Sequence, residues 1–187
     1  MGNSPTIDDG ELNPNNIGNA KNRLIGGVNL GYAFRGGVVE GLKIGAHWFR
    51  GDVREEASSA RTTLNVLGGD TFYENRDWEI FAEYYRFDNT DRTGGTGSHG
   101  SWAGFLQVGH TFGRWTPYGR LEHADLDQSD NYFRQLATGR AYTREILGVR
   151  YELTPRAALK LELTHTTVKE GPTRNDDAAQ MQYSIAF

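Results

Sequence analysis

Alternation of apolar and polar residues constrains this chain most, because it recurs in long segments from residue 24 to the C-terminus. Between Leu159 and Leu163 every second residue is Leu, and the charged Lys160 and Glu162 lie between them. Side chains of an extended strand point to opposite faces in turn, so a period of two predicts strands with one apolar and one polar face. The pattern therefore predicts an all-β fold.

The alternating segments divide into about nine strands, most of them separated by residues typical of turns. The predicted strands cover 22–34, 41–54, 62–74, 78–89, 101–113, 116–127, 142–153, 158–169 and 178–187. Their connectors alternate between short and long. The short connectors are 35–40, 75–77, 114–115 and 154–157, and the long polar ones are 55–60, 90–100, 128–141 and 170–177.

Strand length and connector asymmetry favour a membrane-spanning architecture. Strands of about 10–13 residues exceed the usual length of about 5–6, and a tilted strand crosses a bilayer with about 9–11 residues. Short turns at one end, long loops at the other and aromatic residues near the strand ends are typical of an antiparallel transmembrane up-and-down β-barrel. A soluble up-and-down barrel with its apolar face inward is the alternative.

Composition excludes several classes of protein. The chain has 187 residues and no Cys, which excludes disulfide scaffolds and thiol catalysis. Its net charge is only -4, with 20 basic and 24 acidic residues well mixed, so we predict no nucleic-acid partner. No run approaches the about 18 apolar residues of a membrane helix. The first residues carry neither a basic nor an apolar region, so we expect no signal peptide in this chain.

The final strand and two internal segments resemble bacterial outer-membrane barrels of the porin type. Such barrels typically end in an aromatic residue on an alternating strand that the assembly machinery reads, and Tyr183, Ile185 and Phe187 resemble that signal. Gln182 and Ile185 depart from it, since Gly and an aromatic residue are common there. Two internal segments, 68–86 and 107–122, resemble hairpins of porins. The resemblance covers roughly residues 20–187.

The resemblance implies a location and partners. It implies the bacterial outer membrane, contact with the lipid bilayer and lipopolysaccharide, recognition by the barrel assembly machinery, and small solutes as cargo, with no cofactor. Many porins are trimers, so the resemblance leaves a homo-oligomer open. If residue 187 ends at the periplasmic side, an odd count of nine strands places residues 1–21, a polar segment, outside the cell. We therefore expect the barrel at 22–187 to be the C-terminal portion of a larger one of roughly 12–18 strands.

Charged residues on the polar faces are the candidate pore-lining and selectivity residues. They are Lys43, Glu79, Glu83, Arg120, Glu122, Arg144, Arg150, Lys160 and Glu162. The acidic pair on the fourth strand and the basic residues on the sixth to eighth strands would form opposed walls that screen solutes by charge. The alternative is cross-strand pairing that only satisfies polar groups in a plugged barrel.

Three motifs are weaker candidates. Residues 95–100 match G-x-G-x-x-G, but the strand that follows argues against a dinucleotide site and favours a flexible loop. Asp125, Asp127 and Asp130 resemble the start of a calcium loop that lacks its Gly and Glu, so we expect a solvated acidic loop. The His residues lack metal-ligand spacing, and His123 has no nucleophile context.

The sequence thus predicts a porin-like channel for passive diffusion of small hydrophilic solutes or ions, without catalytic residues, metal or enzymatic activity. The alternative is a structural or ligand-binding outer-membrane barrel that acts through its loops, with no open pore. An outer-membrane hydrolase is the weakest hypothesis. Channel conductance separates the first from the others.

Overall fold

A computed structural model describes residues 6–13, 25–55, 58, 60–95, 97–169 and 171–186. The fold is all-β, with eleven strands in one sheet and one short α-helix. The strands are β1 (Thr6–Asp8), β2 (Glu11–Asn13), β3 (Gly26–Ala33), β4 (Leu42–Glu55), β5 (Arg61–Glu74), β6 (Trp78–Thr93), β7 (Gly97–His110), β8 (Trp115–Asp125), β9 (Ala141–Thr154), β10 (Ala157–Lys169) and β11 (Thr173–Ile185). The helix α1 covers Asn131–Gln135, and a 3₁₀ turn covers Gly37–Val39.

The nine long strands follow an up-and-down order in which each pairs antiparallel with its neighbour in the chain, from β3 to β11. The short β1–β2 hairpin joins the same edge of β4 as β3 does, through a parallel pairing of Thr6 with Arg54. In the described part of the chain no pairing joins β3 to β11, so the sheet is open. The predicted all-β, antiparallel, up-and-down fold is confirmed to this extent.

The turns between strands have local causes. The amide oxygen of Asn75 accepts hydrogen bonds from the N–H groups of Asp77 and Trp78 at 2.9 and 2.7 Å, which closes the β5–β6 turn. Gly41 precedes β4 with φ +89, and a Cβ there would overlap the carbonyl of Glu74. Only glycine tolerates both conditions, so the chain enters β4 close against the end of β5.

Two of the predicted long loops are wrong. Residues 90–93 continue β6 and residues 97–100 begin β7, with Asn89 opposite His99 and Asp91 opposite Gly97. Likewise, β11 begins at Thr173 rather than at residue 178 and pairs with Lys169. Polar residues continue the hydrogen-bonded ladder beyond the apolar part of each strand, so a change in composition did not mark the strand ends. Residues 126–140 remain a long connection.

No helix among the described residues is both long and apolar enough to cross a membrane.

Candidate functional site on the concave face

One ion pair reveals how the sheet curves. Arg150 on β9 contacts Glu79 on β6, with 2.5 Å from Nη2 to Oε1 and 3.3 Å from Nη1 to Oε2. Strands β7 and β8 lie between them, and in a flat sheet their axes would be about 14 Å apart. The side chains can meet only because the sheet bends towards their side. We call this side the concave face and the opposite side the convex face.

Tyr118 connects three strands on the concave face. It stands opposite Gly148 of β9, and Gly148 stands opposite Glu162 of β10. A Cβ at position 148 would overlap the Tyr118 ring, so the glycine allows the ring to lie flat across β9. The Tyr118 hydroxyl then donates to Glu162 at 2.7 Å, and Lys160 pairs with the same carboxylate at 3.0 Å.

A second group of charges surrounds the buried carboxylate of Glu122. Arg120 Nε lies 2.8 Å from Glu122 Oε1, and Arg144 Nη1 lies 3.2 Å from Oε2. The guanidinium of Arg120 also stacks 3.9 Å from the centroid of the Phe105 ring. Arg144 Nε donates to the Thr166 hydroxyl at 3.1 Å. Because each guanidinium has a second partner, these two side chains are held along the concave face and do not extend freely from it.

Lys43 and Glu83 differ from the other predicted residues. The Lys43 ammonium lies 4.8 Å from the Phe72 ring centroid, and Glu83 stands opposite Asp70, whose carboxylate is 2.5 Å from His47. Within the described ranges, Glu83 makes no ion pair. It therefore carries a less compensated negative charge than Glu79, Glu122 or Glu162.

The predicted separation into acidic and basic walls is wrong for Glu79, since this carboxylate is in direct contact with Arg150. Glu122 and Glu162 also have basic partners within 3.2 Å. Curvature brings Glu79 to Arg150, and cross-strand adjacency brings Glu122 to Arg144; the sequence pattern reports neither. The other two pairs, Arg120–Glu122 and Lys160–Glu162, join residues two apart on the same face of one strand. The alternative of cross-strand pairing holds for Glu79 with Arg150 and for Glu122 with Arg144. With the two pairs inside single strands, seven of the nine candidate residues are ion-paired: Glu79, Arg150, Glu122, Arg120, Arg144, Lys160 and Glu162.

The convex face is apolar and exposed. Leu147, Leu163 and Met181 are 70%, 65% and 73% exposed, whereas Thr116 and Tyr118 of the concave face are 1% and 8% exposed. The pairing register of β8 to β11 places apolar residues of adjacent strands side by side. Most of the large exposed apolar side chains lie on this convex face. This distribution is the reverse of that of a protein whose apolar side chains are buried from water.

Two rows of aromatic residues border the convex apolar surface. Trp48, Tyr84 and Trp102 lie towards the long 126–140 connection, and the Tyr84 and Trp102 rings are 5.9 Å apart. Trp78 and Trp115 lie towards the short turns, where Trp78 stands opposite His110. Trp102 and His110 are eight residues apart on β7, which is about 27 Å of strand.

Helix α1 and the β1–β2 hairpin cover one end of the concave face. Phe133 of α1 is 5% exposed and packs edge-on against Phe87 at 5.2 Å. Ile7 of β1 is 2% exposed and packs with Val53 and Leu64 of the wall. The N–H of Ala137 donates to the carbonyl of Gly10 at 2.9 Å, which joins the hairpin to the 126–140 connection. We call this end the covered end.

A buried polar cluster attaches the 126–140 connection to strands β6 and β7 at the covered end. His99 lies between two carboxylates, with Nδ1 3.0 Å from Asp127 and Nε2 3.2 Å from Asp91. Asp130 is 0% exposed, caps α1 by accepting from the N–H of Tyr132 at 2.8 Å, and accepts from the Asn89 amide at 2.7 Å.

The pKa values of the two loop carboxylates shift in opposite directions. Hydrogen bonds from the Ser129 hydroxyl and N–H lower the pKa of Asp127, although burial opposes them. Burial raises the pKa of Asp130, against the bonds from Asn89 and Tyr132. The expectation of a solvated acidic loop is wrong for Asp130, because its carboxylate serves as a helix cap inside the cluster.

Ser129, His99 and Asp91 lie in series, with 3.2 Å from Ser129 Oγ to His99 Nδ1 and 3.2 Å from His99 Nε2 to Asp91. The Ser129 hydroxyl donates to Asp127 at 2.6 Å, so its proton is directed away from His99. His123 instead contacts the Thr143 hydroxyl at 2.8 Å. Among the described residues, no group of three or more His, Asp or Glu side chains is placed to hold a metal ion.

Two residues of the predicted assembly signal lie at the sheet edge. Tyr183 and Ile185 belong to β11, opposite Leu159 and Ala157, and are 59% and 52% exposed. Phe187 lies outside the described residues. Their role in assembly stays a prediction.

Several site residues were not among the sequence candidates. Tyr118, Asn89, Asp91 and His99 all face the concave side and are buried. A signal for Asn89 and Asp91 was present, because residues 89 and 91 continue the period of two beyond the apolar part of β6. Nothing in the sequence indicated that His99 would meet the 126–140 connection.

Together these features define a class of protein: an all-β chain whose antiparallel up-and-down sheet buries a polar face and exposes an apolar one. No protein-family model, curated protein or solved structure matches the chain in comparisons with known proteins. The functional conclusion therefore depends on the chain's own residues.

Proposed function

We propose that this chain forms part of the wall of an outer-membrane β-barrel of the porin type. Such a barrel lets small hydrophilic solutes or ions pass by passive diffusion. The observation that carries the proposal is the inverted distribution of side chains between the two faces. Met181 and Leu147 are exposed on the convex face while Glu79 and Thr116 are buried on the concave one. Lipid around the convex face would shield its apolar side chains from water, and water along the concave face would solvate its polar side chains.

The aromatic rows support the same placement. Trp and Tyr side chains concentrate where hydrocarbon meets headgroups, since their rings are apolar and their N–H or O–H groups are polar. Trp48 donates its indole N–H to Asn65 at 3.0 Å on the convex side, so its polar group is satisfied at that level. On a strand tilted by about 35–45°, the roughly 27 Å of β7 between the two rows corresponds to a height of about 20 Å, close to the about 25 Å band of known barrels.

The open edges are compatible with the proposal if further strands complete the barrel. In lipid an unpaired backbone N–H or C=O group costs several kcal/mol, so a spanning sheet must close. Strands β3 and β11 run in the same direction, because each intervening connection reverses the chain. Antiparallel closure therefore needs an odd number of additional strands, which supports a barrel larger than the nine long strands of this chain.

A barrel without an open pore is the second candidate. It is favoured by the covered end, where Phe133 and Ile7 pack on the concave face. In that case the 126–140 connection and the β1–β2 hairpin would form the surface that acts outside the membrane.

The test begins with folding in detergent micelles, where a heat-dependent change of mobility on SDS gels would indicate a membrane barrel. Refolding in plain buffer alone would refute the membrane placement. Conductance in planar bilayers, measured on the barrel completed by its remaining strands, then separates the two candidates, since the second predicts none.

Ion selectivity tests the role of the concave charges. R120Q combined with R150Q should shift reversal potentials towards cations, because two positive charges leave the lumen wall. R114Q combined with R156Q removes the same charge from exposed turns and is the matched control. Unchanged reversal potentials in R120Q/R150Q would refute the role of these arginines.

A further inference from the structure

A polar pocket lies on the convex side of β4, β5 and β6, just beyond Trp48 towards the covered end. Its volume is about 610 Å³, and its lining includes Trp48, Arg50, Asp52, Arg61 and Arg92. Arg50 follows Trp48 by two residues on the same face of β4 and stands opposite Asn65. The pocket thus lies directly beside the aromatic row and outside the concave face.

Positive charge predominates in this pocket. Three arginines and one aspartate line it, and Arg54 stands directly opposite Arg61 across β4 and β5. Like charges in that position repel each other unless a counter-ion compensates them. The arrangement therefore favours an anion between the strands.

The arginine donors are only partly used. Arg92 Nε donates to the Thr63 hydroxyl at 2.9 Å. Arg61 Nε is buried without a hydrogen-bond partner, and its nearest carboxylate oxygen, on Asp52, is 3.9 Å away. The Arg50 side chain makes no hydrogen bond or ion pair with the residues that the structure describes, and the residue is exposed. Guanidinium groups from three adjacent strands thus line one pocket, and the Arg50 group has no partner among the described residues.

We propose that Arg50, Arg61 and Arg92 bind the phosphate group of a phosphate monoester. A guanidinium donates two parallel hydrogen bonds to phosphate oxygens, and three of them match a tetrahedral dianion. The monoester has two sources, a lipid headgroup or a soluble phosphate. The position beside Trp48 favours the headgroup, and this choice of source rests on the proposed membrane placement, whereas the site itself does not.

Binding to the protein folded in uncharged detergent micelles tests the site. One arm titrates inorganic phosphate by calorimetry, and the other measures phosphatidic acid retention by native mass spectrometry. The variant R50Q/R61Q/R92Q should weaken binding by at least about tenfold, because each loses hydrogen bonds to a charged ligand. The variant R76Q/R114Q/R156Q removes three positive charges from exposed turns at the opposite end and should retain wild-type affinity.

The two arms identify the source. Phosphatidic acid bound in preference to inorganic phosphate supports a lipid headgroup, and equal binding of inorganic phosphate supports a soluble monoester. If neither probe binds, or if both triple variants weaken binding equally, the site is refuted. R50Q alone keeps the test decisive should the triple variant not fold. Gel mobility reports the membrane placement separately, so either proposal can fail alone.

Discussion

Gly148 gives the sharpest test of how the concave face is packed. G148A would place a methyl group inside the volume of the Tyr118 ring and displace the hydroxyl from Glu162. Overpacking costs about 1–3 kcal/mol, and a lost hydrogen bond to a charged group costs about 1.5–3 kcal/mol. Since the ring can relieve part of the overlap by giving up the bond, we expect a net loss of about 2–4 kcal/mol.

The chain offers a matched control in the neighbouring strand. Gly119 of β8 lies on the convex face, and a Cβ there would be 3.9 Å from Leu147 Cδ2, an ordinary contact. Neither glycine has a positive φ. G119A should therefore be neutral or stabilise the protein by up to about 1 kcal/mol, since alanine restricts the unfolded chain more than glycine does.

Urea unfolding of the micelle-folded protein measures both variants. The steric explanation also predicts coupling: in a Y118A background, G148A should lose about 1–3 kcal/mol of its cost. If G148A and G119A have the same stability, or if G148A costs as much without the Tyr118 ring, the explanation is refuted.

Three further predictions concern charged groups. R150Q leaves the buried Glu79 carboxylate uncompensated and should lower the unfolding free energy by about 1–3 kcal/mol, allowing for partial solvent screening; adding E79Q should restore part of it. Bonds from Ser129 hold the pKa of Asp127 below its ordinary value of 3.8, so the contribution of Asp127 to anchoring residues 126–140 is complete above pH 3.8 and is lost as the pH falls through the lower folded pKa. S129A should shift that loss to higher pH in hydrogen exchange. Burial raises the pKa of Asp130, so D130N, which keeps the capping oxygen, should cost less than the about 1–3 kcal/mol of D130A in urea unfolding.

Each of these has a contradicting result. If E79Q brings no recovery to R150Q, the ion pair does not account for the loss. Identical pH profiles of wild type and S129A would show that Ser129 does not set the Asp127 titration. If D130N is as damaging as D130A, the carboxylate charge itself is required, against the direction of its pKa shift.

The sequence predicted the strands and their faces well for a physical reason. A period of two assigns each side chain to a face before any partner strand is known, so Lys160 and Leu161 are placed on opposite faces by position alone. The nine predicted strands correspond to β3–β11, with the largest differences where the ladder continues through polar residues.

The contacts of the site could not be predicted in the same way. The ion pair of Arg150 with Glu79 depends on curvature across four strands, and the burial of Asp130 depends on where the 126–140 connection folds. A local signal for α1 was nevertheless present, since Asp130 precedes the helix as a typical N-cap residue. The hydrogen bond from Tyr118 to Glu162 depends on a glycine in the strand between them.

The link between the β1–β2 hairpin and the 126–140 connection has a kinetic consequence. Gly10 and Ala137, joined by a backbone hydrogen bond, are separated by about 130 residues of chain. Contacts of such long sequence separation close slowly, because the entropy of the intervening loop must be lost first. Strands β4 to β9 form through adjacent hairpins and present the surface on which Ile7 docks. We therefore expect the covered end to fold after the strands on which it packs.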